Sequence, residues 1–247
     1  MLEIEKRVVH YWARRTKDFS EVREAELHNQ ISEDWIKEIR QHVSGDTPKR
    51  ILDVGTGVGY FALLLAKEGH RVTGIDLTPE MIVQAKALAG KYKEQVDYFV
   101  MDAMELSFLD ESFDVVITRN LTWTLPDVEK AYREWHRVLK PGGILLNFDA
   151  SYSHALSMEE MGQAEPESPY GHKGMTHELE MENAYITNAM TISRKKRPAW
   201  DEKVLKKIGF SNIRTDVDAG KRILKERDLP EAPMFLVRAE RQASGEQ

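Results

Sequence analysis

A chain of 247 residues with no cysteine and a formal net charge of -6 excludes disulfide scaffolds, thiolate metal sites and cysteine nucleophiles. A broad nucleic-acid groove is excluded too, because it needs clustered Lys and Arg that an acidic balance does not supply, so small-molecule or protein partners are expected. The length suits one α/β core with an added subdomain.

From Ile4 to His42 the chain is highly charged, and Val8, Tyr11, Trp12, Phe19, Leu27, Ile31, Trp35, Ile36 and Ile39 recur at helical spacing, which predicts two or more amphipathic helices. The linker Ser44-Gly45-Asp46-Thr47-Pro48 closes them. A strand over 50–54, a helix over 60–68 and a strand over 71–75 ending at Asp76 come next, and Thr78 and Pro79 offer a cap and first position for a helix through Leu88. Strands over 96–100 and 113–118 follow, then a helix over 128–139 behind the cap candidate Asp127, a turn at Pro141-Gly142-Gly143 and a strand over 144–148. This alternation predicts a parallel sheet. Ser151 to Pro198 is too long for an ordinary connection and reads as an insertion. Met158, Met161, Met175, Met181 and Met190, with Tyr152, Tyr170 and Tyr185, make it partly apolar. That composition suits a lid, a packing or assembly surface being the alternative. A helix over 201–207, Gly209 and strands over 212–217 and 234–238 end the ordered chain as an antiparallel pair, with the charged stretch Lys221–Asp228 between the strands. Gln242–Gln247 reads as a disordered tail.

The most telling motif is Asp53-Val54-Gly55-Thr56-Gly57-Val58-Gly59, directly after the apolar run of the first strand. Glycines let the backbone turn tightly and approach a ligand where a Cβ forbids it, and the next helix offers unpaired N–H groups. The dinucleotide fingerprint G-x-G-x-x-G fails because its last position falls on Tyr60. Asp76 lies about 20 residues past the turn, where a carboxylate accepts from both ribose hydroxyls; its alternative reading is a helix-capping or strand-end carboxylate.

The D-x-G-x-G-x-G run resembles motif I of the class I S-adenosylmethionine-dependent methyltransferases. The resemblance implies that Asp53 lies near the cofactor's amino group, that Gly55, Thr56, Gly57 and Gly59 line its methionine half, and that Asp76 with Leu77 holds the ribose. Met101-Asp102-Ala103-Met104 is similar to the family's adenine-contacting pair, Asp102 accepting from the adenine amino group and the Ala103 N–H donating to the ring. A plain turn aspartate is the alternative. Phe113 to Thr118 with Arg119-Asn120-Leu121-Thr122-Trp123 resembles the fourth strand and the loop beneath the transferable methyl. There Arg119 is a candidate partner for the cofactor's carboxylate and Trp123 for the acceptor wall, against a surface arginine and a core tryptophan. Val138-Leu139-Lys140-Pro141-Gly142-Gly143 completes the order, so the resemblance covers Arg50 to Asp149 and the C-terminal strand pair. Tyr11, Arg15 and Phe19 are candidates to close over the site from capping helices, ordinary helix packing being the alternative.

The implied fold is a doubly wound Rossmann-like α/β sheet, mostly parallel with an antiparallel last strand, plus an N-terminal helical cap and a lid insertion. The corresponding division is 1–45 cap, 46–150 S-adenosylmethionine-binding core, 151–198 lid or substrate insertion, 199–241 C-terminal part of the core and 242–247 tail. The implied reaction is in-line transfer of a sulfonium methyl to a small-molecule acceptor, leaving S-adenosylhomocysteine. It asks for aligned reactants more than for an acid or base. A base matters only for a protonated amine or a hydroxyl acceptor; Asp149, His154, His172 and His177 are the candidates, and no catalytic residue is assigned. His172 and His177 do not match the H-E-x-x-H spacing, so no metal is expected. Arsenic methylation is disfavoured by the missing cysteines. A non-catalytic S-adenosylmethionine-binding module, a nucleotide-dependent oxidoreductase and a quinone or lipid methyltransferase at a membrane surface are the alternatives, and a homodimer is compatible with the sequence. Met1–Arg7 has no apolar signal core, and no apolar run approaches the roughly 20 residues that span a bilayer. A cytoplasmic protein without a transmembrane segment is expected.

Overall fold

The apolar run of β1 (Arg50–Val54) is buried from Ile51 onward, as befits a strand covered on both faces. In the computed structural model, which describes residues 2–43, 45, 47–152 and 174–243, β1 is central in a seven-stranded sheet. Its companions are β2 (Arg71–Asp76), β3 (Val96–Val100), β4 (Phe113–Arg119), β5 (Leu139–Ala150), β6 (Phe210–Asp216) and β7 (Met234–Arg241). The order is β3-β2-β1-β4-β5-β7-β6. Strand β7 pairs antiparallel with both β5 and β6, and all other pairings are parallel. The expected doubly wound α/β sheet with an antiparallel last strand is therefore the fold. After β1 the chain builds outward through β2 and β3 and then returns to the other side of β1 for β4. The β1/β4 crevice is thus the topological switch point, where open α/β sheets bind ligands.

Helices cover both faces. On one, α2 (Gln30–Arg40), capped by Asn29 accepting from the Ile31 N–H at 3.0 Å, drives Trp35 edge-on against Phe61 and Phe148, with ring centroids 4.8 and 5.0 Å apart. The helices α3 (Tyr60–Lys67), α4 (Pro79–Tyr92) and the short α8 (Ala219–Ile223) share that core. On the other face, α5 (Val128–Val138) buries Tyr132 and Trp135 beside Val204 and Leu205 of α7 (Ala199–Ile208). The long α1 (Glu3–Glu26) differs in kind. Apart from Tyr11, its buried residues are Glu5, Arg15, Thr16 and Glu26, and it packs on α4 and on α6 (His177–Ala189). A helix with so polar an inner face is lining a cavity rather than filling a core.

Several expectations need correction. Helix α4 runs four residues past Leu88, with Leu88 and Ala89 buried, and stops only where Lys93 turns left-handed at φ 59°. Thr78 stands at its N-cap but makes no side-chain capping bond; the Asp76 carboxylate accepts from the Thr78 N–H at 2.8 Å instead. Pro141-Gly142-Gly143 is a bulge inside β5: Phe113 pairs with Leu139 and Val115 with Ile144, so Lys140 to Gly143 loops out of register. Of the supposed insertion, 174–198 contains α6 and lies against α1. Ser44, Asp46, residues 153–173 and the last four residues fall outside the described residues.

Candidate active site

The carboxyl ends of β1, β2, β4 and β5, with the loop after β3, line one cavity of about 1140 Å³. At the end of β1 the glycine turn is fixed by its neighbours: the Thr56 N–H donates to the Ile75 carbonyl at 2.8 Å and the Gly57 N–H to Asp76 Oδ2 at 3.0 Å. Asp53 Oδ2 accepts from the Thr56 hydroxyl at 2.6 Å and the Ala62 N–H at 3.1 Å, tying the strand end to the first turn of α3, whose cap residue is a glycine. Burial pushes the Asp53 carboxyl up to about 7, against the pull of those two hydrogen bonds. A Cβ on Gly57, at φ 56°, would stand 3.3 Å from the Phe19 ring, and one on Gly55 would stand 2.7 Å from Leu121 Cδ1. The turn therefore lies between α1 and the loop after β4. Gly59 does not line the cavity: its missing Cβ makes room for Tyr98, whose hydroxyl a Cβ there would strike. Its assignment to ligand contact is replaced by a packing role.

Register carries the turn to its partners. Val54 pairs with Ile75 and Thr118, and Asp76 with Val100, so Asp76 and Leu77 lie beside the turn with Asp102 and Ala103 one strand further out, all on the cavity wall. Asp76 spends one lone pair of each carboxylate oxygen on the Thr78 and Gly57 N–H groups, which leaves both oxygens able to accept from hydroxyls. Burial pushes its carboxyl above the ordinary range. Asp102 Oδ1 accepts from the Met104 N–H at 2.8 Å. Each of these two aspartates is thus a local structural carboxylate and a wall residue at once.

Arg119 is not a surface residue. Its guanidinium lies 4.6 Å from the Trp35 ring and 5.5 Å from the Tyr60 ring, and 3.5 Å from Glu26 of α1. Glu26 also takes Arg23 at 2.6 Å. Burial, reinforced by Arg23, brings Arg119 down to about 10 despite Glu26. For Glu26, burial pushes the carboxyl up, and Arg23 and Arg119 outweigh it, holding it below the ordinary range. Arg119 Nε and Asn120 Oδ1 are buried without a hydrogen-bond partner, and both residues line the cavity. A donor and an acceptor are therefore left over at the glycine-turn end, on Arg119 and Asn120 in succession.

Tyr11, Arg15, Phe19 and Trp123 meet on the remaining wall, joined by Tyr152, whose ring lies 5.2 Å from Trp123. Asp149 does not join them. It is wholly buried, absent from the cavity wall, and spends its oxygens on Thr122, the Ala150 N–H and Arg197, so its candidacy as an acceptor-side base is withdrawn. His177 is exposed on α6 and also off the wall. His154, His172, Met158, Met161 and Tyr170 lie outside the described residues, among which no His, Cys, Asp and Glu cluster is arranged to hold a metal, and no helix is long and apolar enough to cross a membrane.

Residues 52–147 match the methyltransferase domain family. The stretch from β1 into β5 is a class I S-adenosylmethionine-dependent methyltransferase domain. It is 40% identical over 108 residues to a demethylmenaquinone methyltransferase of Chlorobaculum parvum, a match covering 43% of each chain, so it spans less than half the length of that relative. It is 30% identical over 192 residues to an S-adenosyl-L-methionine-dependent Diels-Alderase of Talaromyces variabilis, covering 76% of this chain and 60% of the relative. The fold is that of phosphoethanolamine N-methyltransferase 2 of Haemonchus contortus in complex with S-adenosyl-L-methionine, with TM-score 0.63 and 23% identity over 84% of this chain and 52% of that one.

Residues of the cavity wall that a reading of the motifs misses include Glu180, Asn183 and Thr187 of α6 and, between Leu224 and Met234, Leu224, Arg227 and Asp228. The α6 helix carries a usable signal, since Thr176 caps it by accepting from the Leu179 N–H and Glu178 and Glu180 occupy its first turn. The Leu224–Met234 run has no such mark.

Proposed function

We propose that this methyltransferase transfers the methyl group of S-adenosylmethionine to a small-molecule acceptor held between α1, α6 and the loop after β4. The observation that carries the reading is the convergence, in one cavity, of the glycine turn, two strand-end aspartates and an aromatic wall. The residues fit the cofactor: the glycine turn is a cradle that a Cβ would fill, and the unpartnered Arg119 Nε and Asn120 Oδ1 suit the carboxylate and ammonium of an amino acid. In this reading Asp76 with Leu77 holds the ribose, Asp102 and Ala103 the adenine, and Gly55, Thr56 and Gly57 the methionine half. When bound, the cofactor supplies a methyl already activated on a sulfonium. The protein's share is then to bind, orient and keep out water, for which Tyr11, Phe19, Trp123 and Tyr152 provide rigid apolar surface. That wall, with Met175 and Val8, favours a ring-bearing acceptor over a small hydrophilic one, in keeping with the demethylmenaquinone methyltransferase relative.

A second reading keeps the cofactor without consuming it, favoured by the likeness to an S-adenosyl-L-methionine-dependent Diels-Alderase. Calorimetry with S-adenosylhomocysteine, followed by a labelled-methyl screen against small-molecule acceptors, separates the two. Binding with label transfer supports the methyltransferase, binding with turnover of an acceptor and no label transfer supports the second reading, and no binding overturns both.

A further inference from the structure

From Arg119 to Pro126 every residue lines the cavity except Thr122, which is wholly buried and makes its hydrogen bonds to Asp149. Its N–H donates to Asp149 Oδ2 at 2.9 Å and its hydroxyl donates to the same oxygen. The Asn120 N–H donates to the Phe148 carbonyl of β5 at 2.8 Å, and beyond it the loop's other hydrogen bonds are internal: Trp123 Nε1 donates to the Asn120 carbonyl at 2.9 Å and the Thr124 hydroxyl to the Leu121 carbonyl at 2.7 Å. Its internal shape is therefore local, its start is held to β5 at Asn120, and past that point the one side-chain anchor from another strand is a single carboxylate oxygen of Asp149.

That carboxylate belongs to a buried network that reaches the far end of the inserted segment. Arg197 Nη1 lies 3.3 Å from Asp149 Oδ2, an ionic contact without hydrogen-bond alignment. Arg197 Nε and Nη2 donate to the two oxygens of Asp201, each at 2.9 Å. Tyr132 donates its hydroxyl proton to Asp201 Oδ1 at 2.6 Å, and Asn147 Nδ2 donates to the Tyr132 oxygen at 2.9 Å. The side chains of Asp149 and Asp201 are wholly buried and that of Arg197 is 2% exposed, so one guanidinium compensates two carboxylates. Burial alone would lower Arg197, and Asp149 and Asp201 hold it above its ordinary value. Removing one member of such a cluster leaves uncompensated charge in a dry site, which is relieved by protonation or by movement. At Asp149 either one loosens Thr122.

We infer that Arg197 is a positioning residue for the acceptor side of the site: its charge keeps Asp149 in place, and Asp149, through Thr122, aims Leu121 and Trp123 into the cavity. The inference rests on the methyltransferase reading of that cavity. It gives the segment after β5 a task at its closing end, one that sets the shape of the pocket from behind without touching a ligand.

The test is amide hydrogen exchange on the full chain, with and without S-adenosylhomocysteine, for Arg197→Met, Thr122→Val and Arg197→Met combined with Asp149→Asn. Arg197→Met is expected to speed exchange at residues 120–125 by about tenfold or more while β1 and α3 keep their rates. It should also weaken S-adenosylhomocysteine several-fold, because Leu121 packs on the glycine turn. Adding Asp149→Asn should restore much of the protection, since the amide still accepts from Thr122 without needing a counter-charge. Thr122→Val, which replaces the hydroxyl by a methyl and keeps the N–H bond to Asp149, should loosen the same residues to a smaller degree and keeps the test open if Arg197→Met does not fold. Unchanged exchange at 120–125 in the folded variants overturns the inference. So does a rise spread evenly over α5, α7 and β5 without rescue, which marks Arg197 as general core support. If the unaltered protein binds no S-adenosylhomocysteine the methyltransferase reading fails, and the exchange rates of the unliganded chain still decide whether Arg197 sets the loop.

Discussion

Asp76 closes the start of α4 and the glycine turn through its two carboxylate oxygens, and in the proposed reading the same oxygens accept from the ribose. Asp76→Ala should weaken S-adenosylhomocysteine by about 1–3 kcal/mol, the cost of losing a charged acceptor; unchanged affinity in calorimetry removes it from the site. Asp53 makes a different prediction. Its carboxyl, pushed up to about 7 by burial, holds in the folded state a proton that the unfolded chain has released. Between the ordinary carboxylate range and about 7 the native state therefore binds more protons, and stability falls as pH rises through that window. Asp53→Asn retains an oxygen to accept from Thr56 and Ala62 and has no proton to lose. The thermal midpoint of the unaltered protein should drop more than that of the variant between about pH 5 and about pH 8, and parallel profiles refute the assignment.

Among the elements, α1 and α6 cover the cavity together through two forked ion pairs. Arg7 donates to Glu182 at 2.8 and 2.5 Å and Arg14 to Glu178 at 2.7 and 2.9 Å, with Arg7 also 3.9 Å from the Tyr185 ring. The Arg14–Glu178 pair lies at the surface and the Arg7–Glu182 pair is half-buried, and salt screens the first more than the second. Glu178→Gln with Glu182→Gln should speed amide exchange in both helices and leave the thermal midpoint nearly unchanged. Raising the salt concentration should reproduce the effect in the unaltered protein. An unaltered exchange pattern shows that apolar contacts alone hold the cover. For α5, Asp127 accepts from the Lys130 N–H at 2.9 Å, and Asp127→Ala should cost about 1 kcal/mol in a denaturant titration.

At the scale of the molecule, core and site meet at Trp35, which is fully buried against Phe61 and Phe148 and lies beneath Arg119. Trp35→Ala should lower stability by about 3–5 kcal/mol and weaken S-adenosylhomocysteine as well. A loss of stability with intact affinity separates the two. The strand-helix alternation, the glycine turn, Asp76 and the antiparallel last strand were legible in the residues, because each depends on local rules: apolar runs, φ preferences and strand-end positions within one βα unit. Gly59 and Asp149 were misread for a single reason. Whether a side chain faces a ligand or a neighbour depends on what lies across from it, and Tyr98 and Arg197 come from other strands and loops. The burial of Arg119 likewise depends on Trp35 and Glu26, more than eighty residues earlier. The sequence by itself determined the class of fold and the glycine turn after the first strand, since those are written in contiguous residues. Only the tertiary structure decided which carboxylates reach the cavity, because burial and charge pairing arise between segments that the chain brings together only when folded.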